Sequence, residues 1–226
     1  MKLTVLGKYG LYPQAGGATS SYIIESGAHI VNLDFGSGAL SRTLSATGKL
    51  PSAIVFSHLH FDHTSDILPL VYALKSPIDV LLPFDDSPIF ELVSGLPMFN
   101  AVRITDGLET DIDGLKFKFV RLTHPVESYG MRISDGKSDF FYSGDTVYDD
   151  RILTAANGCS LVLLDACATR AAAGKVPHIT IEEAKKIRDA LNVRVLLSHV
   201  LPGYPPYAEA EANGLEVVEE LKSYEI

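Results

Sequence analysis

Ser57-His58-Leu59-His60-Phe61-Asp62-His63 places three imidazoles and a carboxylate within six residues, directly after the apolar run Ala53-Ile54-Val55-Phe56. In an extended segment, alternation puts His58 and His60 on one side and Leu59 on the other. Asp62 and His63 follow at a turn, where Asp is at home and the chain can redirect. A hydrophobic core has little use for so many donors and acceptors, because each buried polar group needs a partner. A metal centre uses them, since zinc, iron and manganese all accept neutral imidazole and carboxylate oxygen. The alternative is a His-rich surface turn, and the rest of the chain argues against it.

The chain holds seven histidines, and six stand in or next to polar strand-end positions. His124 closes Val120-Arg121-Leu122-Thr123 and precedes Pro125. Asp145 follows Phe140-Phe141-Tyr142-Ser143-Gly144, and His199 follows Val195-Leu196-Leu197-Ser198. Several strands therefore deliver a polar residue at their C-terminal ends, where sites in layered folds collect. Asp34, ending His29–Asp34 ahead of the Gly-rich run Phe35–Gly38, reads as a turn residue or as a carboxylate behind a ligand. His29 sits at a hairpin turn and is expected to be exposed.

The chain's 226 residues suffice for one large domain. Apolar residues are 46% and charged residues 21%, ordinary globular usage. Met1–Gly7 is too short an apolar stretch for a signal peptide, and no run is long enough to span a bilayer, so a cytoplasmic protein without membrane contact is expected. The two cysteines, Cys159 and Cys167, flank the apolar run Leu161–Leu164 and read as structural thiols. A net charge of −9 disfavours a broad nucleic-acid surface, although bound divalent ions would add positive charge that this count omits.

Strands are expected at Leu3–Leu6, Ser21–Glu25, His29–Asp34, Ala53–Phe56, Ile78–Leu82, Ala101–Thr105, Leu115–Leu122, Gly130–Ile133, Asp139–Tyr142, Leu161–Leu164 and Val193–Ser198. Helices are expected at Ala39–Ala46, Ile67–Leu74, Ser87–Leu92 and Asp149–Ala156, with one after Thr180 and a closing amphipathic one over Ala208–Ser223. Thr180-Ile181-Glu182-Glu183 is a capping box. Strand-rich halves, roughly 1–120 and 121–226, suggest two sheets packed face to face with helices outside, in a single domain covering 1–226.

The ordered set His58, His60, Asp62, His63, then His124, Asp145 and His199, resembles the metallo-β-lactamase fold superfamily. The resemblance spans most of the chain and implies an α/β four-layer αββα sandwich with a dinuclear centre at one edge. It assigns His58, His60 and His124 to a first metal. Asp62, His63 and His199 go to a second, with Asp145 bridging both. His124-Pro125-Val126-Glu127-Ser128-Tyr129-Gly130 and Ser143-Gly144-Asp145-Thr146 resemble motifs of RNase Z, the tRNA 3′-processing endonuclease. Asp165 and Pro177-His178-Ile179-Thr180 match that family's acidic strand end and its His motif, which maps His178 to the leaving-group acid and Asp165 to the carboxylate that orients it. Departures are plain: only twenty residues separate His124 from Asp145, leaving no room for the tRNA-gripping arm. Pro177 and Ile179 replace Gly and Ser, and Asp165 replaces Glu. A compact, arm-less RNase Z-like hydrolase is the branch that fits.

Two divalent ions, zinc with manganese or iron as alternatives, would bring a bridging water toward hydroxide at neutral pH beside Asp62 and clamp phosphodiester oxygens. His178 would protonate the departing alkoxide. Phosphodiester hydrolysis of a small or short substrate is the leading expectation. A thioester or lactone hydrolase on the same centre and a non-catalytic metal-binding module are the alternatives. Nucleic acid is a compatible substrate that the charge does not favour, and the resemblance is compatible with a homodimer. Tyr129 and Arg132 stand open between substrate contact and packing.

Overall fold

The computed structural model describes residues 1–27, 29–166 and 168–226. The chain divides into two compact units, Met1–Ile104 with Glu219–Glu225, and Thr105–Val218 with Ile226. The division falls at 104 rather than near 120, because the segment after Ile104 turns into a hairpin of the second unit.

Strands and helices are numbered in chain order. The first unit carries β1 (Lys2–Gly7), β2 (Ser21–Ser26), β3 (His29–Phe35), α1 (Ala39–Thr47), β4 (Ala53–Val55), α2 (Phe61–Thr64), α3 (Ile67–Ala73), β5 (Ile78–Pro83), α4 (Pro88–Gly95), β6 (Phe99–Ile104) and, from the far end, β14 (Ser223–Glu225). They form a seven-stranded sheet ordered β14-β1-β2-β3-β4-β5-β6. β14, β1, β2 and β3 pair antiparallel, whereas β3 to β6 pair parallel and need a crossover for each step. The helices supply those crossovers. Their apolar faces bury Ala39, Ile67, Leu70 and Val93 against Phe35, Ile54, Val80 and Leu82 of the sheet and against Phe56, just past β4.

The second unit carries β7 (Glu109–Ile112), β8 (Leu115–Leu122), β9 (Ser128–Ser134), β10 (Asp139–Tyr142), α5 (Arg151–Ala156), β11 (Leu161–Asp165), α6 (Ile181–Leu191), β12 (Arg194–Ser198), α7 (Tyr207–Ala212) and β13 (Glu216–Val217). Its sheet runs β13-β12-β11-β10-β9-β8-β7, antiparallel from β7 to β10 and parallel beyond. β8 alternates over its first five residues, with Leu115, Phe117 and Phe119 buried while Lys116 and Lys118 face out, and Leu122 is buried on the opposite face. α6 begins with the expected capping box, in which the Thr180 hydroxyl accepts the Glu183 N–H and the Glu183 carboxylate accepts the Thr180 N–H. A cap of this kind stabilises a helix by about 1 kcal/mol, and here it ends the loop that carries His178.

The closing helix is shorter than expected. It stops at Ala212, Gly214 adopts φ +66°, and the rest of Ala208–Ser223 becomes β13, a turn and the entry to β14. Asn213-Gly214 is the break: Gly takes a left-handed residue without the Cβ penalty, and the chain leaves the helix there. β7 was not expected, because its polar sequence Glu109-Thr110-Asp111-Ile112 has little to bury at a sheet edge. No helix among the described residues is long and apolar enough to cross a membrane.

Candidate metal centre

In the first unit the candidate ligands follow β4. The strand ends at Val55, so Phe56–Leu59 lie outside the sheet, and His60 has extended backbone at φ −65° and ψ 152°. His58 and His60 converge nonetheless, with Nε2 of the first 2.9 Å from Nδ1 of the second. His60 is the N-cap of the single-turn α2, which carries Asp62 and His63 as buried residues. Asp34, fully buried in β3, lies behind them. Its Oδ1 accepts the Ser57 N–H at 2.7 Å, and its Oδ2 accepts the Ser57 hydroxyl at 2.8 Å. The same Oδ2 lies 2.8 Å from Nδ1 of His63. Because an ionised carboxylate only accepts, His63 carries its proton on Nδ1, and Nε2 turns toward Asp62 Oδ2, 3.8 Å away. Asp34 is therefore the carboxylate behind an imidazole, not a plain turn residue.

Gly36 lets this loop close. A Cβ there would lie 2.1 Å from the Asp62 carbonyl oxygen and 2.3 Å from Thr19 Oγ1. Gly36→Ala should cost about 3 kcal/mol, the upper end for overpacking, because one contact is rigid backbone. The urea midpoint of the variant checks this; an unchanged midpoint would mean the loop gives way freely.

In the second unit four residues come together. Asp145 lies three residues past β10, Asp165 ends β11, His178 precedes α6 and His199 follows β12. One ligand-capable atom from each lies within 4.8 Å of the others, and all four residues are buried. Asp165 joins two histidines: its Oδ2 is 2.5 Å from Nδ1 of His178 and its Oδ1 is 3.3 Å from Nδ1 of His199. Nε2 of His199 then faces Asp145 Oδ2 at 3.2 Å. The His178 ring centroid lies 4.7 Å from that of His199 and 5.9 Å from that of the half-buried His124. Burial alone would lower the His178 pKa, but the Asp165 charge and hydrogen bond outweigh it and hold the imidazole above its ordinary value.

Backbone detail holds these groups in place. The Asp145 carbonyl accepts the Ser128 hydroxyl at 2.9 Å, and Ser143 Oγ accepts the Asp165 N–H at 2.9 Å. His199 and Asp34 sit at φ +60° and +54°, a left-handed conformation that non-glycine residues keep only where surroundings impose it. One partner had no sequence signal. The Leu11 N–H, from the loop between β1 and β2, donates to Asp62 Oδ2 at 2.7 Å.

Other expectations resolve toward packing. Tyr129 is buried, and burial together with its hydrogen bond to Glu127 pushes the phenol well above its usual range. Arg132 pairs with Asp139 and donates to the carbonyls of Ala155 and Asn157. Both side chains are engaged in these packing and pairing contacts. Cys159 is a buried free thiol, pushed up to about 11 by burial, and so unreactive. Cys167 lies outside the described residues. His29 is exposed, as expected.

Residues 35–199 match the family model described as a β-lactamase superfamily domain. The chain is also 31% identical over 176 residues to YhfI of Bacillus subtilis, described as a probable metallo-hydrolase, covering 72% of this chain and 71% of that protein. The chain belongs to the metallo-β-lactamase superfamily, a family of metallo-hydrolases. The crystal structure of the Bacillus subtilis YhfI shares its fold, with a TM-score of 0.90 at 23% identity over 99% of this chain and 98% of that one. Human tRNase Z, short form, follows with a TM-score of 0.78 at 18% identity, covering 100% and 99% of the two chains. A diphosphatase of the PhnP family gives 0.79 at 20% identity, covering 100% and 97%. The expected metallo-β-lactamase fold is thus the fold of the chain.

Within each unit of this superfamily member the donor chemistry fits divalent cations. Imidazole nitrogens and carboxylate oxygens make up both clusters, with no thiol among the described donors. Asp34 backs His63 at Nδ1, the arrangement in which a carboxylate-backed imidazole presents Nε2 to a metal, and Asp165 stands on the Nδ1 side of His199.

Proposed function

We propose that this chain is a dinuclear metal-dependent phosphodiester hydrolase acting on a small or short substrate, with residues 1–226 working as one domain. A first metal would be held by His58, His60 and His124 and a second by Asp62, His63 and His199, with Asp145 shared between them. Zinc suits this thiol-free set, as do manganese and iron. When bound, the ions supply an activated water and Lewis-acid stabilisation of the phosphoryl oxygens.

The observation that carries the reading is the buried Asp165–His178 pair. A hydrolase of good leaving groups has no need of a dedicated acid, because a thiolate departs without a proton. An alkoxide does not. Asp165 keeps the His178 proton on Nδ1 in the neutral ring, and in the imidazolium Nε2 is left to donate. The diphosphatase and tRNase Z names among the structural neighbours agree with phosphoryl chemistry. A net charge of −9 and only twenty residues between His124 and Asp145 favour a compact substrate over a folded tRNA.

The test is a substrate panel on protein reconstituted separately with zinc, manganese and iron, with bound metal counted by elemental analysis. Two ions per chain and turnover of bis-p-nitrophenyl phosphate, abolished by chelation and restored by metal, are expected. A pre-tRNA with a 3′ trailer should remain uncut. Preferential cleavage of thioesters or lactones would move the assignment to that class, and a metal-loaded protein inert on every substrate would leave a binding module.

A further inference from the structure

We propose that Phe61, with Leu11 and Tyr12, forms an apolar rim that holds the aromatic, non-reacting group of the substrate beside Asp62 and thereby sets which diesters are turned over. The inference rests on the phosphodiester reading above and deepens it.

Phe61 stands between His60 and Asp62 and is 72% exposed, while Leu11 and Tyr12 are 62% and 54% exposed. Two sequence-distant segments meet at one carboxylate, since the Leu11 N–H sits 2.7 Å from Asp62 Oδ2. Leu11 also adopts φ +63°, a costly conformation for a branched side chain. Nothing in packing repays it, because the side chain lies mostly in water. The loop that presents Leu11 and Tyr12 is nevertheless firmly tied. Tyr9 N–H donates to the Ala18 carbonyl at 3.1 Å, and Arg42 donates to the Leu6 and Gly16 carbonyls. Arg42 also pairs with Glu220, which in turn accepts the Ala18 N–H at 2.8 Å. A rim already ordered before binding loses little entropy when a ligand arrives.

Charge selects the occupant. Across residues 7–20 and 56–66 the only Lys or Arg is Lys8, and it is buried. A polynucleotide needs a row of cations for its phosphates. An aromatic ring needs only apolar and aromatic faces, and every nucleobase has one to offer. The rim therefore fits a planar group such as a base on a substrate with a single phosphodiester.

The test compares thymidine 5′-(p-nitrophenyl) phosphate with methyl p-nitrophenyl phosphate, which share a leaving group and differ in the group the rim would hold. Wild-type, metal-loaded protein should favour the thymidyl ester in kcat/KM. Phe61→Ala should reduce that preference about tenfold through KM, as expected for loss of one stacked base, and Phe61→Trp should restore it. Leu11→Gly keeps the amide donor to Asp62 and relieves the left-handed strain, so a lower preference there reports the side chain itself. An unchanged preference in both Phe61→Ala and Leu11→Gly would overturn the rim. Binding of thymidine 5′-monophosphate to the metal-loaded protein, followed by calorimetry, separates the two readings. If neither ester is cleaved, the phosphodiesterase reading fails. The rim then stands on a roughly tenfold weaker affinity in Phe61→Ala, and falls if affinity is unchanged or binding is absent.

Discussion

Replacing His178 by Ala should lower kcat for a dinucleoside monophosphate by about 10²–10⁴-fold, the range attributed to a positioned general acid, while bis-p-nitrophenyl phosphate loses much less. The difference follows from the leaving groups. A nucleoside alkoxide is strongly basic and needs a proton as its bond to phosphorus breaks; p-nitrophenolate is weakly basic and needs little help. His178 is suited to the task because Asp165 holds its Nδ1 at 2.5 Å and keeps the protonated ring favoured. The comparison also resolves a second role open to the same side chain. His178 is one of four residues whose donor atoms lie within 4.8 Å of one another, and so has the geometry of a ligand. As a ligand, its loss would reduce bound metal and slow both substrates alike. As the acid, its loss leaves the metal count unchanged and widens the gap between the two esters. Equal losses on both substrates with metal depleted would therefore refute the acid assignment.

The parts of this site legible in the sequence are those written in side-chain type and period. Histidine and aspartate at strand ends have no place in an apolar core, and the β8 alternation and the Thr180 capping box follow from local rules. What escaped were contacts made by backbone or by register. Leu11 reaches Asp62 through its N–H, which every residue except proline possesses, so no residue type announces it. Asp165 was expected to orient only His178, thirteen residues on. It also holds His199 because parallel pairing sets Asp165 opposite Ser198. That register belongs to the sheet, and no local spacing reveals it. The closing segment failed for a different reason. Leu215, Val218 and Leu221 sit at a helix-compatible spacing, yet Asn213-Gly214 breaks the helix before they begin, and a short apolar period cannot by itself distinguish a helix from the ends of two strands.

Asp34 offers the sharpest separation of folding from metal affinity. Asp34→Ala removes the acceptor for the Ser57 amide, the Ser57 hydroxyl and His63 Nδ1 together, in a fully buried setting. Leaving such donors unpartnered costs about 1–3 kcal/mol each, partly relieved by relaxation, so a loss of about 4 kcal/mol is expected. Alanine also tolerates φ +54° less well than aspartate. Asp34→Asn differs on both counts. Asparagine accepts left-handed backbone, and its one carbonyl oxygen can still take the Ser57 N–H, so most stability should survive. Its NH₂ group, however, would face His63 Nδ1 as a donor, which moves the imidazole proton to Nε2, the nitrogen a metal would need. The Asn variant should therefore unfold close to wild type in urea and bind zinc about 10–100-fold more weakly, the usual effect of losing a carboxylate behind a liganding histidine. Wild-type zinc affinity in a stably folded Asn variant would mean that His63 does not bind metal through Nε2.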